Sequence, residues 1–423
     1  MGRDSAVVRL GPVNELDLRP VFQPIVDLRD GAVVGYEALM RSGPEDGALH
    51  GAEAMLAAAR REDSMLALDL ANRDAALRIA EEHGLAAPFS LFLNADPATL
   101  DRGSPERPAT RFTLLVEVTE QALIARPEAM LRALTRLRSA GWGIALDDIG
   151  GDSRSLALMS ILYPDVIKLD LRLLADRSPE DVARIVTAVG AEAERRHATV
   201  LAEGIDSDDQ LATARAFGAS LGQGYLLGAP AALPDRLPPA GRGLKLPFGG
   251  GDPFGSTPWE RVTNWQRPST GPSRLAARAV GMIVDHAAGL GQTAMVLASL
   301  ADENSAADAV ARYGLLPDRL AFVGVLNAGD SFEGTGVRSG QLAADDSLRG
   351  TGTLVALAPD FAACLVGRYT GEDEWAFAVT YDRDTVVECA LPLMARMEPV
   401  STSPASPHPA RSRGAPSKRN GRR

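Results

Sequence analysis

The chain has 423 residues, with 44 Lys+Arg against 55 Asp+Glu, 2 Cys and 45% hydrophobic residues. That composition excludes wholesale disorder and a disulfide scaffold, and a net charge of −11 argues against a whole-chain nucleic-acid binder. The length allows about two or three domains, or one large barrel with a smaller partner.

Residues 1–18 read as a leader. Met1 to Leu10 carries Arg3, Asp4 and Arg9 and lacks the apolar core of a signal peptide. No run of about 18 uncharged apolar residues occurs, so no transmembrane helix is expected, and the sparse Cys fit a reducing cytoplasm. From residue 19 to 237, short apolar runs alternate with amphipathic segments. Strands are predicted at 21–26, 33–39, 90–94, 114–118, 143–147, 166–169, 199–202 and 223–226. Helical patterns fall at 51–82, 128–140, 179–196 and 208–217. Such alternation predicts a parallel α/β sheet, and eight strands favour closure as a (β/α)8 barrel of the TIM type.

Residues 238–271 are rich in Pro and Gly and read as a linker, with Trp259 and Trp265 packing onto one domain. Helices are then predicted at 275–288 and 294–313, strands at 320–326, 352–358, 363–368 and 375–380, and a closing helix at 384–397. These make a second, smaller α/β or α+β domain over 272–398. Cys364 and Cys389 both fall in apolar runs, so buried packing is expected, with thiol sensing as the sharper reading. His286 reads as structural. The tail, 399–423, has six basic and no acidic residues and should be disordered. Removing its six charges takes the net charge from −11 to −17.

In a barrel, catalytic residues sit at the C-terminal strand ends. The predicted strands end on Glu37, Asn94, Glu117 with Glu120, Asp147 with Asp148, Lys168 with Asp170, Glu203 and Gln223. Alone, Glu37 or Gln223 could be a rim residue, Asp147-Asp148 a helix cap and Lys168 half of a structural ion pair. Together they crowd carboxylates at one mouth, which must be neutralised. All-oxygen ligands without Cys or His suit hard ions such as Mg²⁺ or Mn²⁺. Two ions about 3.5–4 Å apart can activate water for phosphodiester cleavage, with Lys168 adding positive charge where the phosphorane builds up.

These residues carry a resemblance. The runs Phe22-Gln23-Pro24-Ile25-Val26 and Gly35-Tyr36-Glu37-Ala38-Leu39-Met40-Arg41 resemble the opening of the EAL family of cyclic di-GMP phosphodiesterases. The match continues through Phe92-Leu93-Asn94, Glu117-Val118-Thr119-Glu120, Asp147-Asp148, Lys168-Leu169-Asp170, Ala202-Glu203-Gly204-Ile205-Asp206 and Gly222-Gln223-Gly224-Tyr225. The resemblance implies a modified TIM barrel whose first strand is antiparallel, hydrolysing cyclic di-GMP to linear pGpG with two Mg²⁺ or Mn²⁺ ions. It implies that Glu37, Asn94, Glu117, Asp147 and Asp148 hold the metals. It places Lys168, Glu203 and Gln223 on the attacking water, and Gln23, Leu39, Arg41, Asp170 and Asp206 on the nucleotide. Glu120 is expected to brace the loop after Asp148.

That loop departs from the family. Ile149-Gly150-Gly151-Asp152-Ser153-Arg154-Ser155 stands where Phe-Gly-Thr-Gly-Tyr-Ser-Ser is usual, and Asp206 stands where Glu is common. The change suggests slowed or differently regulated hydrolysis. It also motivates a second reading, a receptor that binds cyclic di-GMP without cleaving it and signals through a partner. A homodimer near this loop is a further expectation of the family. Residues 275–395 resemble the DICT domain, a sensory module, in Ala321-Phe322-Val323-Gly324-Val325, Gly336-Val337-Arg338, Leu354-Val355-Ala356-Leu357-Ala358-Pro359 and Phe377-Ala378-Val379-Thr380-Tyr381-Asp382-Arg383. The ligand or partner of that domain is not implied by the resemblance.

Overall fold

The computed structural model describes residues 17–43, 50–100, 110–246, 252, 254–302, 306–371 and 373–399. Residues 1–16 of the predicted leader and 400–423 of the predicted tail lie outside them. Among the described residues no helix is long and apolar enough to cross a membrane.

Eight strands close a barrel: β1 (Val21–Asp27), β2 (Val33–Leu39), β3 (Ser90–Asn94), β4 (Thr113–Val118), β5 (Gly143–Ile149), β6 (Val166–Asp170), β7 (Thr199–Glu203) and β8 (Leu221–Gly222). β1 lies antiparallel between β2 and β8, and the other neighbours run parallel. The barrel is the modified TIM type. One apolar side chain from each strand fills its interior floor: Ile25, Val34, Phe92, Leu115, Ala145, Val166, Leu201 and Leu221. Such a layer packs as a core rather than a pore, so chemistry is confined to the mouth above it.

Helices wrap the outside: α1 (Ala52–Arg61), α2 (Met65–Glu82), α3 (Glu120–Ala125), α4 (Pro127–Ser139), α5 (Ser155–Leu162), α6 (Pro179–Arg196) and α7 (Asp208–Ala216). The helical pattern predicted over 51–82 is two helices. The chain breaks between α1 and α2, where Asp63 takes a left-handed φ of 52°. The last barrel strand also differs from expectation. β8 is Leu221–Gly222, and Gln223 follows it with its N–H still bonded to Ala202 O at 2.9 Å. The chain then turns at Gly224, where a Cβ would meet Ile205 O at 2.2 Å.

The predicted linker is structured at both ends. Gly241 N–H donates to Val33 O at 2.9 Å, and Leu244 and Leu246 pack under the barrel floor. Further on, α8 (Pro258–Thr263) starts with a capping box between Thr257 and Glu260, and β9 (Ser269–Pro272) joins the second sheet. Leu244, Leu246 and Trp259 are the apolar anchors of these two ends, while 247–251 and 253 lie outside the described residues. Trp259 packs against the core, whereas Trp265 is exposed.

The second domain adds α9 (Ser273–Leu290), β10 (Met295–Ser299), α10 (Ala306–Tyr313), β11 (Phe322–Leu326), β12 (Arg338–Gly340), β13 (Gly352–Ala358), β14 (Phe361–Gly371), β15 (Glu374–Thr380) and α11 (Arg383–Met394). Its seven strands are ordered β9-β15-β14-β13-β10-β11-β12. The helix predicted over 294–313 is therefore a strand followed by a helix. Residues 295–298 form a continuous apolar run that fits a buried strand or a buried helix equally, and pairing with β11 and β13 settles it as the strand. On the outer sheet face lie α9 and α10; His286 stacks on Phe361 there, with ring centroids 4.3 Å apart. On the inner face lies α11. Cys364 of β14 and Cys389 of α11 are free thiols, both fully buried there.

The inner face and the barrel share one hydrophobic core. α11 packs on α4 and α5, and all eight residues of α5 are buried. Polar ties cross the same boundary. Arg383 donates to Ser160 Oγ at 3.4 Å, Arg196 pairs with Asp384 at 3.1 Å, and Arg338 donates to Ile124 O at 2.8 Å.

Candidate active site

The parallel strands bring their C-terminal ends to one mouth. Glu37 comes from β2, Asn94 ends β3, Glu117 lies in β4, Lys168 in β6, and Glu203 ends β7. β1 reaches the same place because it runs backwards, so Gln23 pairs opposite Glu37. Asp147 and Asp148 owe their position to a bulge. Leu146 pairs with Ile167 and Ile149 with Leu169, so β5 carries one extra residue across this step. Asp148 sits there with φ 59°, a left-handed conformation that Asp tolerates better than most residues. The bulge breaks the alternation that would otherwise send neighbouring side chains to opposite faces.

Lys168 is the centre of the site. Its ammonium is 1% exposed and lies 2.7 Å from Glu117, 3.0 Å from Asp147, 3.0 Å from Glu203 and 3.7 Å from Glu37. A hydrogen-bonded chain closes the other side. Gln223 Nε2 donates to Glu37 Oε2 at 2.7 Å and to Gln23 Oε1 at 3.0 Å, Gln23 Nε2 donates to Gly228 O at 3.0 Å, and Asn94 Nδ2 donates to Glu37 Oε1 at 3.1 Å.

Burial and crowding set the protonation of these groups. Burial by itself would push the Lys168 ammonium down, but the carboxylates of Glu117, Glu203, Glu37 and Asp147 overcome it and hold the group charged. Burial raises the Glu117 carboxyl well above its usual range, the Glu37 charge adds to this, and Lys168 opposes it. Glu203 is pushed up to about 8, mainly by burial. Burial and then the Asp147 charge raise Asp148. One ammonium against five carboxylates leaves the mouth short of positive charge.

The remaining predicted residues stand around this centre. Leu39 ends β2 on its partly exposed side, and Arg41 donates to Met40 O at 2.7 Å. Asp170 caps the short helix Leu171–Ala175, accepting from Arg172 N at 2.7 Å. Asp206 accepts from Tyr225 N at 2.9 Å and so ties the loop after β7 to the loop after β8. Glu120 is buried at the start of α3. Its carboxyl is raised first by burial and then by the charges of Asp152 and Asp148, and it accepts a hydrogen bond from Gln121 at 3.5 Å. The loop 149–155 is held instead by Arg177, which donates to Gly151 O, and by Ser155 Oγ, which donates to Asp152 O at 2.6 Å.

A supporting pair escaped the sequence reading. Asp69 and Arg73 of α2 form a buried ion pair at 2.9 Å. Asp69 also accepts from Thr99 Oγ1 and from Asp96 N at 3.4 Å, which pins the loop that follows Asn94. Charges four residues apart on an otherwise apolar face were the available signal.

The donor set fits a hard dication. Gln223 Oε1 and the Glu117 carboxylate are buried without hydrogen-bond donors, apart from the Lys168 ion contact of Glu117. Every candidate ligand atom at the mouth is oxygen, which suits Mg²⁺, Mn²⁺ or Ca²⁺ over zinc. Among the described residues no three His, Cys, Asp or Glu side chains already stand in a metal-binding arrangement.

The EAL domain family model matches residues 13–230, half of the chain, and the chain belongs to the EAL family. It is 32% identical over 228 residues to a cyclic di-GMP phosphodiesterase of Pseudomonas aeruginosa, a match covering 51% of this chain and 39% of that relative. It is 29% identical over 227 residues to the cyclic di-GMP phosphodiesterase RocR of the same species, covering 49% and 56%. Each match spans less than two thirds of the relative's own length. Among solved structures, Bacillus subtilis YkuI with cyclic di-GMP and calcium is 26% identical with a TM-score of 0.43, covering 52% of this chain and 57% of that one. The manganese and cyclic di-GMP complex of Klebsiella pneumoniae BlrP1 is 29% identical with a TM-score of 0.44, covering 51% and 56%.

Proposed function

We propose that the barrel hydrolyses cyclic di-GMP to linear pGpG in the cytoplasm with two Mg²⁺ or Mn²⁺ ions. The observation that carries this reading is the convergence of Glu37, Glu117, Asp147 and Glu203 on Lys168 at one mouth. The curated relatives named above are cyclic di-GMP phosphodiesterases, and this chain keeps the full acidic set. Glu37, Asn94, Glu117, Asp147 and Asp148 would hold the ions. Bound divalent ions supply charge to the phosphodiester oxygens and lower the pKa of a water. Lys168, Glu203 and Gln223 would order that water, and of the three the Glu203 carboxylate would take up its proton. Gln23, Leu39, Arg41, Asp170 and Asp206 would line the nucleotide, with Arg41, one nitrogen of which donates to Met40 O, offering its other N–H groups to a phosphate.

We read residues 272–398 as a DICT-like sensory domain that regulates the barrel. The supporting relationship is the seat of α11 on α5, since α5 follows directly on the Asp147-Asp148 loop.

Incubating the full chain with cyclic di-GMP and Mg²⁺ or Mn²⁺, and separating products by chromatography, tests the proposal. Appearance of pGpG is expected, and its absence from natively folded protein across metals and pH sinks it. The second reading, a receptor that does not cleave, is favoured by the departure at 149–155. Calorimetry showing tight binding without pGpG would select it.

A further inference from the structure

We propose that the second domain binds a small, flat, uncharged aromatic molecule carrying a hydrogen-bond acceptor, in a cavity on the sheet face turned away from the barrel. The cavity holds about 330 Å³ and lies between α9, α10 and the sheet. That is at the lower end of the roughly 300–1,000 Å³ usual for small-molecule sites, which is room for about two fused rings.

The cavity exists because small residues meet from several elements. Ala276 and Ala277 of α9, Ala298 of β10, Ala309 of α10 and Gly352 of β13 all face it. Close packing normally removes such space, so small side chains on four elements around one void point to an occupant.

The walls specify an aromatic guest. Tyr369 and Trp375 stand side by side at the edge of the cavity, ring centroids 4.7 Å apart and nearly perpendicular. The indole lies flat on the sheet because Gly367 and Gly352 lie beneath it. A Cβ at Gly367 would sit 2.3 Å from the ring, and one at Gly352 would sit 2.7 Å away. A third flat ring can stack or tilt against this pair at favourable geometry.

Polarity sets the rest. The indole Nε1 of Trp375 is buried and has no hydrogen-bond partner. It can only donate, and the unpartnered hydroxyls of Ser299 and Thr353 in the same lining can donate too, so a guest with an acceptor matches them. The charged lining residues, Arg274, Asp308 and Arg312, are not buried, and the deep polar groups are the uncharged hydroxyls of Ser299, Thr353 and Tyr313, so a net charge on the guest would meet no buried counter-charge.

This inference is independent of catalysis, and its test contains no hydrolysis. The full chain is titrated with 4-quinolone, which has two rings and a carbonyl acceptor, and with naphthalene, which has the rings alone. Binding is followed by NMR saturation transfer and by quenching of Trp fluorescence. Saturable 4-quinolone binding, about tenfold tighter than naphthalene, is expected, as one satisfied hydrogen bond would give. Trp375→Phe keeps a ring and removes the donor; it should cost 4-quinolone about tenfold and leave naphthalene unchanged. Ala277→Phe, at an exposed position of α9 that lines the cavity, should abolish binding of both while the melting curve stays that of the wild type. No saturable binding of 4-quinolone at millimolar concentration overturns the proposal. So does unchanged binding in Ala277→Phe, or an equal effect of Trp375→Phe on both probes.

Discussion

Lys168 Nζ stands 2.7 Å from Glu117 Oε1 with both side chains buried, and this contact joins β6 to β4 across the intervening β5. The pair is the inner end of a charge cluster that also takes in Glu37, Asp147 and Glu203. Each acid comes from a different strand, so the ammonium holds four strand ends together.

Removing that ammonium leaves buried carboxylates facing each other. Lys168→Met should therefore lower the stability of metal-free protein by about 3–5 kcal/mol, the usual cost of breaking a buried pair. Added Mn²⁺ should restore more of the melting temperature in this variant than in wild type, and pGpG formation should be lost. Thermal denaturation with and without Mn²⁺ checks the first part, and chromatography the second.

Glu37 accepts from both Asn94 and Gln223 while facing Lys168, so it couples the amides to the charge cluster. Glu37→Gln preserves the shape and removes the charge. Outer partners of a metal site typically cost 10–100-fold in affinity or activity, and a direct ligand should cost at least about 100-fold. Turnover against Mn²⁺ concentration reads this out, with wild-type rates excluding Glu37 as a ligand.

Leu391 of α11 is 2% exposed in the core shared by the two domains. Leu391→Ala should cost about 2–5 kcal/mol through lost burial and the cavity left behind. Chemical denaturation followed separately by signals from each domain tests whether the two lose stability together. Independent unfolding at unchanged barrel stability would show that α11 does not brace α5.

Cys364 and Cys389 are both inaccessible. The Cys364 thiol is raised well above its ordinary value of 9.0 by its hydrogen bond with Cys389 and by burial. It stays protonated in the folded chain at pH values where the unfolded chain ionises. Stability should accordingly fall as pH rises above about 9, because the unfolded state then holds fewer protons. A thiol reagent at pH 8 should label native protein slowly and denatured protein at once. Rapid native labelling would show that the inner face opens.

Much of the site was legible because its signals are local. Strand ends carry the acids, amides and Lys168, and each strand is a short apolar run next to its motif. The predicted strands 90–94 and 143–147 reach the mouth as expected, and Gln223 reaches it from just after the last strand rather than from a strand over 223–226. Elements failed where local pattern is ambiguous. The run 295–298 suits a buried strand or helix alike, and only its place between β11 and β13 decides. The Pro and Gly of 238–271 read as a linker held only by Trp259 and Trp265. Leu244 and Leu246 are ordinary residues whose role under the barrel floor depends on a cavity made by eight distant strands.

The sequence by itself determined that this chain closes an EAL barrel and that acids gather at one end of it, because strand periodicity and motif order are written residue by residue. The tertiary structure alone decided three things: that one lysine contacts acids from four strand ends, that α11 covers the helix following the Asp pair, and that a cavity remains on the opposite face of the second sheet. Each arises from side chains brought together over long separations, and distance in space is not encoded in any local window of sequence.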